Sequence, residues 1–408
     1  MLNVSSFAGS EAIRPQASAP GKAADRFYLR ELDGIRFLAF GLVWLHHYPP
    51  APLRLLKDIK MSGWIGVDVF LVLSSFLITS LLLVEFDTKG GISLSRFYSR
   101  RFLRIWPLLG LALFLNYVVL PASHYVPAEF QARAMWHDIR FHGIPNLLLL
   151  GNWSVAAFGY LRYGYIDQLW TINLEEQFYL LWPILLLFLA PYPSRLLFSC
   201  AGLILISYVA RIYYIEVRFP HPALWVSTIT RLDPLALGGI LAVLYRRRKS
   251  VPLTRAKQWR NTAGAALVFC VVLAAVCLLL RSWDWTHDRA IWWKLGLVDV
   301  GITILIACFL ASSILSAMLR LAPIAWLGKI SYGLYVYHKF FAQSRFAMEI
   351  RMLMHDVVDS RAVFIFWLLG MALNGTLLIG VSALSYYGYE RWFLKLKERF
   401  EVILSRPA

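Results

Sequence analysis

The sequence predicts an all-α, polytopic membrane protein with about ten transmembrane helices, and three observations carry that prediction. First, 59% of the 408 residues are hydrophobic and 16% are charged, with a mean hydropathy of +0.58, far too apolar for a chain that folds in water. Second, the apolar residues come in long uncharged runs. "VGITILIACFLASSILSAML" (300–319) and "NTAGAALVFCVVLAAVCLLL" (261–280) each have the ~20 residues that cross a bilayer core as a helix. Third, summed over the connecting segments, lysine and arginine are concentrated on one side of the bilayer, as the positive-inside rule demands.

Taken in order, the spans fall near 34–49, 63–84, 103–120, 169–190, 196–216, 231–245, 261–280, 295–317, 324–342 and 363–387. An eleventh apolar run, "IPNLLLLGNWSVAAF" (144–158), is short and broken by asparagine, and reads as a re-entrant or interfacial segment. With ten spans, the connecting segments on the side of the termini hold roughly twice the Lys and Arg of the opposite side, which places both termini in the cytosol. The expected location is the cell's inner (cytoplasmic) membrane. Outside it lie segments such as 121–143 and 281–294, whose tryptophans suit an interfacial belt.

Residues 1–31 carry Pro, Ala, Ser and charges but no apolar core of a signal peptide, and are expected to form a flexible cytosolic tail. Residues 32–394 then form one membrane domain, and 395–408 a second cytosolic tail. Cys200, Cys270, Cys277 and Cys308 all fall in apolar runs without ligand spacing, so neither disulfides nor a metal site is expected. The net charge of +17 is a matter of topology and bilayer anchoring here, not of nucleic-acid binding.

Charges at membrane depth cost at least ~2.5–3.5 kcal/mol each, which makes them functional candidates by default. Asp33 and Arg36 open the first span and His47 closes it; Asp68 lies in the second; Glu175 and Glu176 lie in "QLWTINLEEQFYLLWP"; Arg231 and Asp233 open "TRLDPLALGGILA"; His338 lies in "LGKISYGLYVYHKFF". At about 100° per residue, Arg36 and His47 share one helix face, Asp33 lies within about 40° of it, and His46 is turned roughly 100° away. His47 is therefore the candidate for proton transfer, the task to which imidazole is suited, and His46 the interfacial residue. The same geometry groups Glu175 with Tyr179, Asp68 with Ser75, and Ser331 with Tyr335 and His338. "RFYSRRFLRIWP" sets Arg96, Arg100, Arg101 and Arg104 just before the third span, where guanidinium forks suit phosphoryl oxygens.

These segments resemble, in order from Leu32 to about Leu394, the acyltransferase 3 family of integral-membrane O-acyltransferases. "LDGIRFLAFGLVWLHH" is similar to the family's opening Leu-Asp-Gly-Leu-Arg helix, whose essential histidine falls at His47. "GVDVFLVLSSFLIT" matches at Asp68 and Ser74, "FYSRRFLRIWP" resembles the family's Arg-rich segment, and "LWTINLEEQFY" selects Glu175 over Glu176. "TRLDPLALGGILA", "LGKISYGLYVYH" and "SYYGYERWFLK" complete the series. The chain departs from the family pattern at Ser75, in place of glycine, at Thr171 and Asn173, in place of two serines, and at Trp392, in place of proline.

The resemblance implies transfer of an acyl group, expected to be acetyl, from cytosolic acyl-CoA to a hydroxyl of a glycan or other acceptor. No bound cofactor is expected; acyl-CoA is the donor substrate. In this reading His47 is the general base, with Arg36, Asp33, Asp68 and Glu175 completing the catalytic set, and Asp68 or Glu175 orienting the imidazole. Arg100, Arg101 and Arg104 hold the CoA phosphates, while Ser74, Tyr179, Arg231, Asp233, Ser331, Tyr332 and His338 support the site. The rival class is a proton-coupled or substrate transporter using the same intramembrane charges, although the two halves show no self-similarity. Release of coenzyme A separates the two.

Overall fold

A computed structural model describes residues 27–49, 54–120, 136–161, 165–249, 255–281, 290–342 and 360–403. Residues 1–26 of the first expected tail, 404–408 of the second, and the larger part of both tryptophan-bearing outer segments lie outside these residues; the start of the second tail is instead helical, as the end of Arg391–Glu398. All regular structure among them is helical. Helix α1 (Arg30–His47) has Glu31 and Asp33 in its first turn and His46 and His47 in its last, charges that complement the helix dipole. The amphipathic α2 (Arg54–Ser62) leads into α3 (Ile65–Lys89), which ends on Gly90 at φ 73°, the left-handed cap that glycine adopts without strain. There follow α4 (Leu94–Phe114), α5 (Gly151–Phe158), α6 (Trp170–Leu189), α7 (Pro193–Glu216), α8 (Leu232–Lys249), α9 (Arg255–Arg281) and α10 (Ile291–Ala311). The chain closes with α11 (Ser313–Leu319), α12 (Ala322–Lys329), α13 (Ser331–Ala342), α14 (Ser360–Ser385) and α15 (Arg391–Glu398).

Among the described residues, seven helical stretches are long and apolar enough to cross a bilayer: 65–89, 94–119, 167–189, 193–216, 262–280, 291–311 and 361–398. The chain is an all-α polytopic membrane protein. The other three expected spans are helical but fall short of that standard. The first and sixth, α1 and α8, carry too many charges, and the ninth is broken at Ile330 into α12 and α13. The third span differs from expectation in starting at Leu94, so the arginines ride on the first turns of α4 instead of preceding it. The 144–158 run folds as a four-residue turn, Ile144–Leu147, a left-handed Leu149 and the eight-residue α5. That helix is only about 12 Å long, too short to span.

Burial orders the bundle. α3 has 67% of its apolar window inside the protein, whereas the 262–280 helix has 6% and presents nearly its whole surface outward. α3 packs against α1, α6, α8 and α10. Its approach to α8 is closest at Gly238, where an added Cβ would strike the Val72 carbonyl and the Ser75 side chain. Ser75, one departure from the family pattern, is accommodated there, donating to the Leu235 carbonyl at 2.5 Å. Gly328 of α12 lies so close to the Asp33 carbonyl that any side chain would displace it, and this contact seats the start of α1.

Four helices meet around a fully buried ion cluster. Asp68 of α3 pairs with Arg231, and Arg211 of α7 with Asp233 of α8 at 2.5 Å. Asp299 of α10 lies between the two arginines at 3.8 and 4.0 Å. Two guanidinium and three carboxyl groups thereby offset one another's loss of solvation.

Candidate active site

A cavity of about 200 Å³ opens between α1, α3, α4, α6 and α13, with α15 across one side. α1 contributes Asp33 and Arg36. Asp33 accepts from Arg36 Nη1 at 2.9 Å and from the Tyr28 hydroxyl at 2.8 Å, which fixes the guanidinium at the cavity wall. α6 contributes Glu175, on the same face as Tyr179 one turn later, as helical spacing predicts. The Glu175 carboxylate accepts from the Tyr179 hydroxyl at 2.8 Å and from Ser74 Oγ at 3.2 Å. Glu176 does not line the cavity. From α13 come Ser331 and Tyr332, the latter donating to the Ile105 carbonyl at 2.9 Å.

The arginines divide. Arg101 and Arg104 face the cavity, and among the described residues neither has a carboxylate within ion-pair distance. Arg101 instead lies over the rings of Phe97 and Tyr179, 5.7 and 5.2 Å from their centroids. Arg100 points away, pairing with Glu85 at 3.4 Å and donating to the Phe400 carbonyl at 2.8 Å. It lines only a smaller adjoining cavity, which Arg101 and Arg104 share.

His47 lies outside the cavity lining. It shares a face with Arg36, but eleven residues at about 1.5 Å each set the two some 16 Å apart along α1. What the structure brings to His47 is His338, from a helix 291 positions later, with His338 Nε2 3.3 Å from His47 Nδ1. Backbone carbonyls determine both tautomers, because a carbonyl only accepts. His47 Nδ1 lies 2.9 Å from the Val43 oxygen and His338 Nδ1 2.6 Å from the Tyr335 oxygen, so both Nδ1 atoms carry hydrogen. His338 Nε2 is then a lone pair turned toward the His47 N–H, and His47 Nε2 is left as the basic nitrogen. His46 is held elsewhere, its Nδ1 2.9 Å from the Lys60 carbonyl on α2.

Two expectations need correction. Asp68 does not orient His47: its carboxylate is sealed against Arg231 with no exposure, because the face that carries Asp68 and Ser75 turns toward α8. Glu175 does not orient it either, being occupied by Ser74 and Tyr179. Arg231 and Asp233 belong to the buried ion cluster, away from the cavity. Sequence reasoning passed over Arg211 and Asp299 of that cluster, although both are charges within apolar runs. It grouped Tyr335 with Ser331 and His338 but gave it no site role, and it passed over Lys397; both line the cavity.

Comparisons with known proteins agree with this architecture. The sequence profile of the acyltransferase 3 family, described as an acyltransferase domain, matches residues 29–386. The chain is 29% identical over 331 residues to the peptidoglycan O-acetyltransferase OatA of Listeria monocytogenes, covering 77% of this chain and 49% of that protein. A Bacillus subtilis protein provisionally named a peptidoglycan O-acetyltransferase is 28% identical over 76% of this chain and 48% of its own length. A Staphylococcus aureus protein provisionally named an O-acetyltransferase is 29% identical over 76% of this chain and 50% of its own. The chain thus spans about half the length of the curated relatives it matches. No solved structure matches it. With its match extending over nearly all of the helical bundle, the chain belongs to the acyltransferase 3 family.

Proposed function

We propose that the chain moves an acetyl group from cytosolic acetyl-CoA to a hydroxyl of a glycan that approaches from the other side of the cytoplasmic membrane. Arg101 and Arg104 receive the CoA phosphates at the cytosolic mouth, where both termini also lie. The pantetheine arm follows the cavity past Arg36 toward Phe70 and Tyr335, whose rings meet edge to face with centroids 5.6 Å apart and must part for the acyl end to pass toward His47. The acceptor oxygen attacks the thioester carbon as His47 Nε2 takes its proton. The C–S bond breaks, and the thiolate takes up a proton to leave as coenzyme A. Arg36, held by Asp33, hydrogen-bonds a carbonyl of the pantetheine arm and positions it along the way to His47. Glu175 positions Tyr179 beside Arg101. The O-acetyltransferase names of the relatives support the reaction class.

The observation that carries this reading is the histidine pair: the His47 N–H engages His338 Nε2, which leaves His47 Nε2 as the free basic nitrogen. The test is release of coenzyme A thiol from acetyl-CoA by purified, acceptor-supplied protein. His47→Ala is expected to bind acetyl-CoA normally and to lose about 10²-fold or more of the rate. A His47→Ala protein that transfers at the native rate overturns the assignment.

A further inference from the structure

The cations of the cavity do not all come from α4. Lys397, on α15, lines both the main cavity and the adjoining one, as do Arg101 and Arg104. It lies within electrostatic reach of both arginines. α15 follows the family match, which ends at residue 386, so nothing in the family comparison assigns this lysine a role. α15 packs on α4, and Arg100 ties the next turn down through the Phe400 carbonyl. Leu394, one turn before Lys397, faces the same cavity, while Trp392 is 76% exposed on the outer side. The helix thus turns one cation inward toward two that have no carboxylate partner among the described residues. A third like charge there raises the energy of the empty site and is offset by a polyanion. Lys397 has one carboxylate at hand, Glu401, one turn on, at 3.0 Å.

We propose that Lys397 is a further phosphate ligand of the donor site, and that Glu401 is the internal counter-ion a donor phosphate displaces from it. The proposal rests on the donor reading above. It makes α15, beyond the matched domain, the part of the chain that completes the phosphate pocket. A phospholipid headgroup offers the same phosphoryl oxygens as coenzyme A, and the experiment separates the two.

The measurement is binding of coenzyme A to the purified full chain in neutral detergent, by calorimetry, and association of the same protein with phosphatidylglycerol-containing vesicles. Lys397→Ala is expected to weaken coenzyme A binding about ten-fold and to raise KM for acetyl-CoA without raising that for the acceptor, since charge-assisted contacts to phosphate are strong. Lys397→Arg restores binding, and Glu401→Gln tightens it about two- to three-fold by removing the competitor. If Lys397→Ala binds coenzyme A normally while Arg104→Ala does not, the proposal falls and the donor reading stands. If neither substitution weakens binding, both fall. Loss of vesicle association with coenzyme A affinity intact assigns the lysine to lipid and overturns the proposal. Should Lys397→Ala fail to fold, Glu401→Gln decides: unchanged affinity overturns it.

Discussion

At the scale of single residues, adjacent positions in the chain have been given different work by what lies across from them. His46 and His47 differ by one step of about 100° on α1; one ring meets the Lys60 carbonyl and the other meets His338. His46→Ala is expected to keep most transfer activity in the same thiol-release assay in which His47→Ala is inactive; the reverse result overturns both the helix-face argument and the assignment of the base. The arginines of α4 divide in a similar way. Arg104→Ala is expected to raise KM for acetyl-CoA by the equivalent of roughly 1.5–3 kcal/mol, the worth of a hydrogen bond to a charged group. Arg100→Ala, whose native partners are Glu85 and the Phe400 carbonyl, is expected to lower the thermal midpoint with a smaller change in KM. Steady-state kinetics on both substrates, beside a thermal scan, separates the two effects.

At the scale of helices, the contact of α3 with α8 organises the bundle, and the Asp68–Arg231 pair lies within it. Removing one member of a buried pair leaves the other charged and unsolvated, at a cost of about 3–5 kcal/mol. Asp68→Asn is therefore expected to lower the thermal midpoint markedly. Asp68→Asn with Arg231→Met is expected to recover part of that loss. A catalytic role for Asp68 predicts otherwise: a stable, inactive single variant with no rescue in the double. The contact also depends on Gly238, where a methyl group would push against the Val72 backbone. Gly238→Ala is expected to destabilise by about 1–3 kcal/mol, the usual cost of overpacking a filled interior.

At the scale of the whole molecule, the arginine-lined cavity and the His47–His338 pair lie toward opposite ends of the bundle. α1 shows this directly, with Arg36 near its start in the cavity and His47 at its last residue. Reporter fusions at both termini are expected to place them in the cytosol. Cysteine labelling near residues 48–49 is expected to succeed from outside, and labelling in α15 only from inside. Labelling of both from one face contradicts a path across the membrane.

Fold class, helix order and the family were legible in the sequence, because hydrophobic length and the spacing of charges are local properties that each segment carries by itself. The family resemblance also singles out Glu175 over Glu176, and Glu175 is the one of the two that lines the cavity; helix geometry separates the neighbours but does not say which of them faces inward. Whether a charged residue on a span meets a substrate or a counter-ion depends on which helix packs against it, and local periodicity holds no record of that. Asp68 and Glu175 looked equivalent as buried acids; one is closed off by Arg231 and the other opens onto the cavity. Only the tertiary structure brought His338 to His47, 291 positions away in the chain. It alone placed Lys397 of the last helix beside the arginines of the fourth, because a pairing between distant segments is set by how the whole bundle closes.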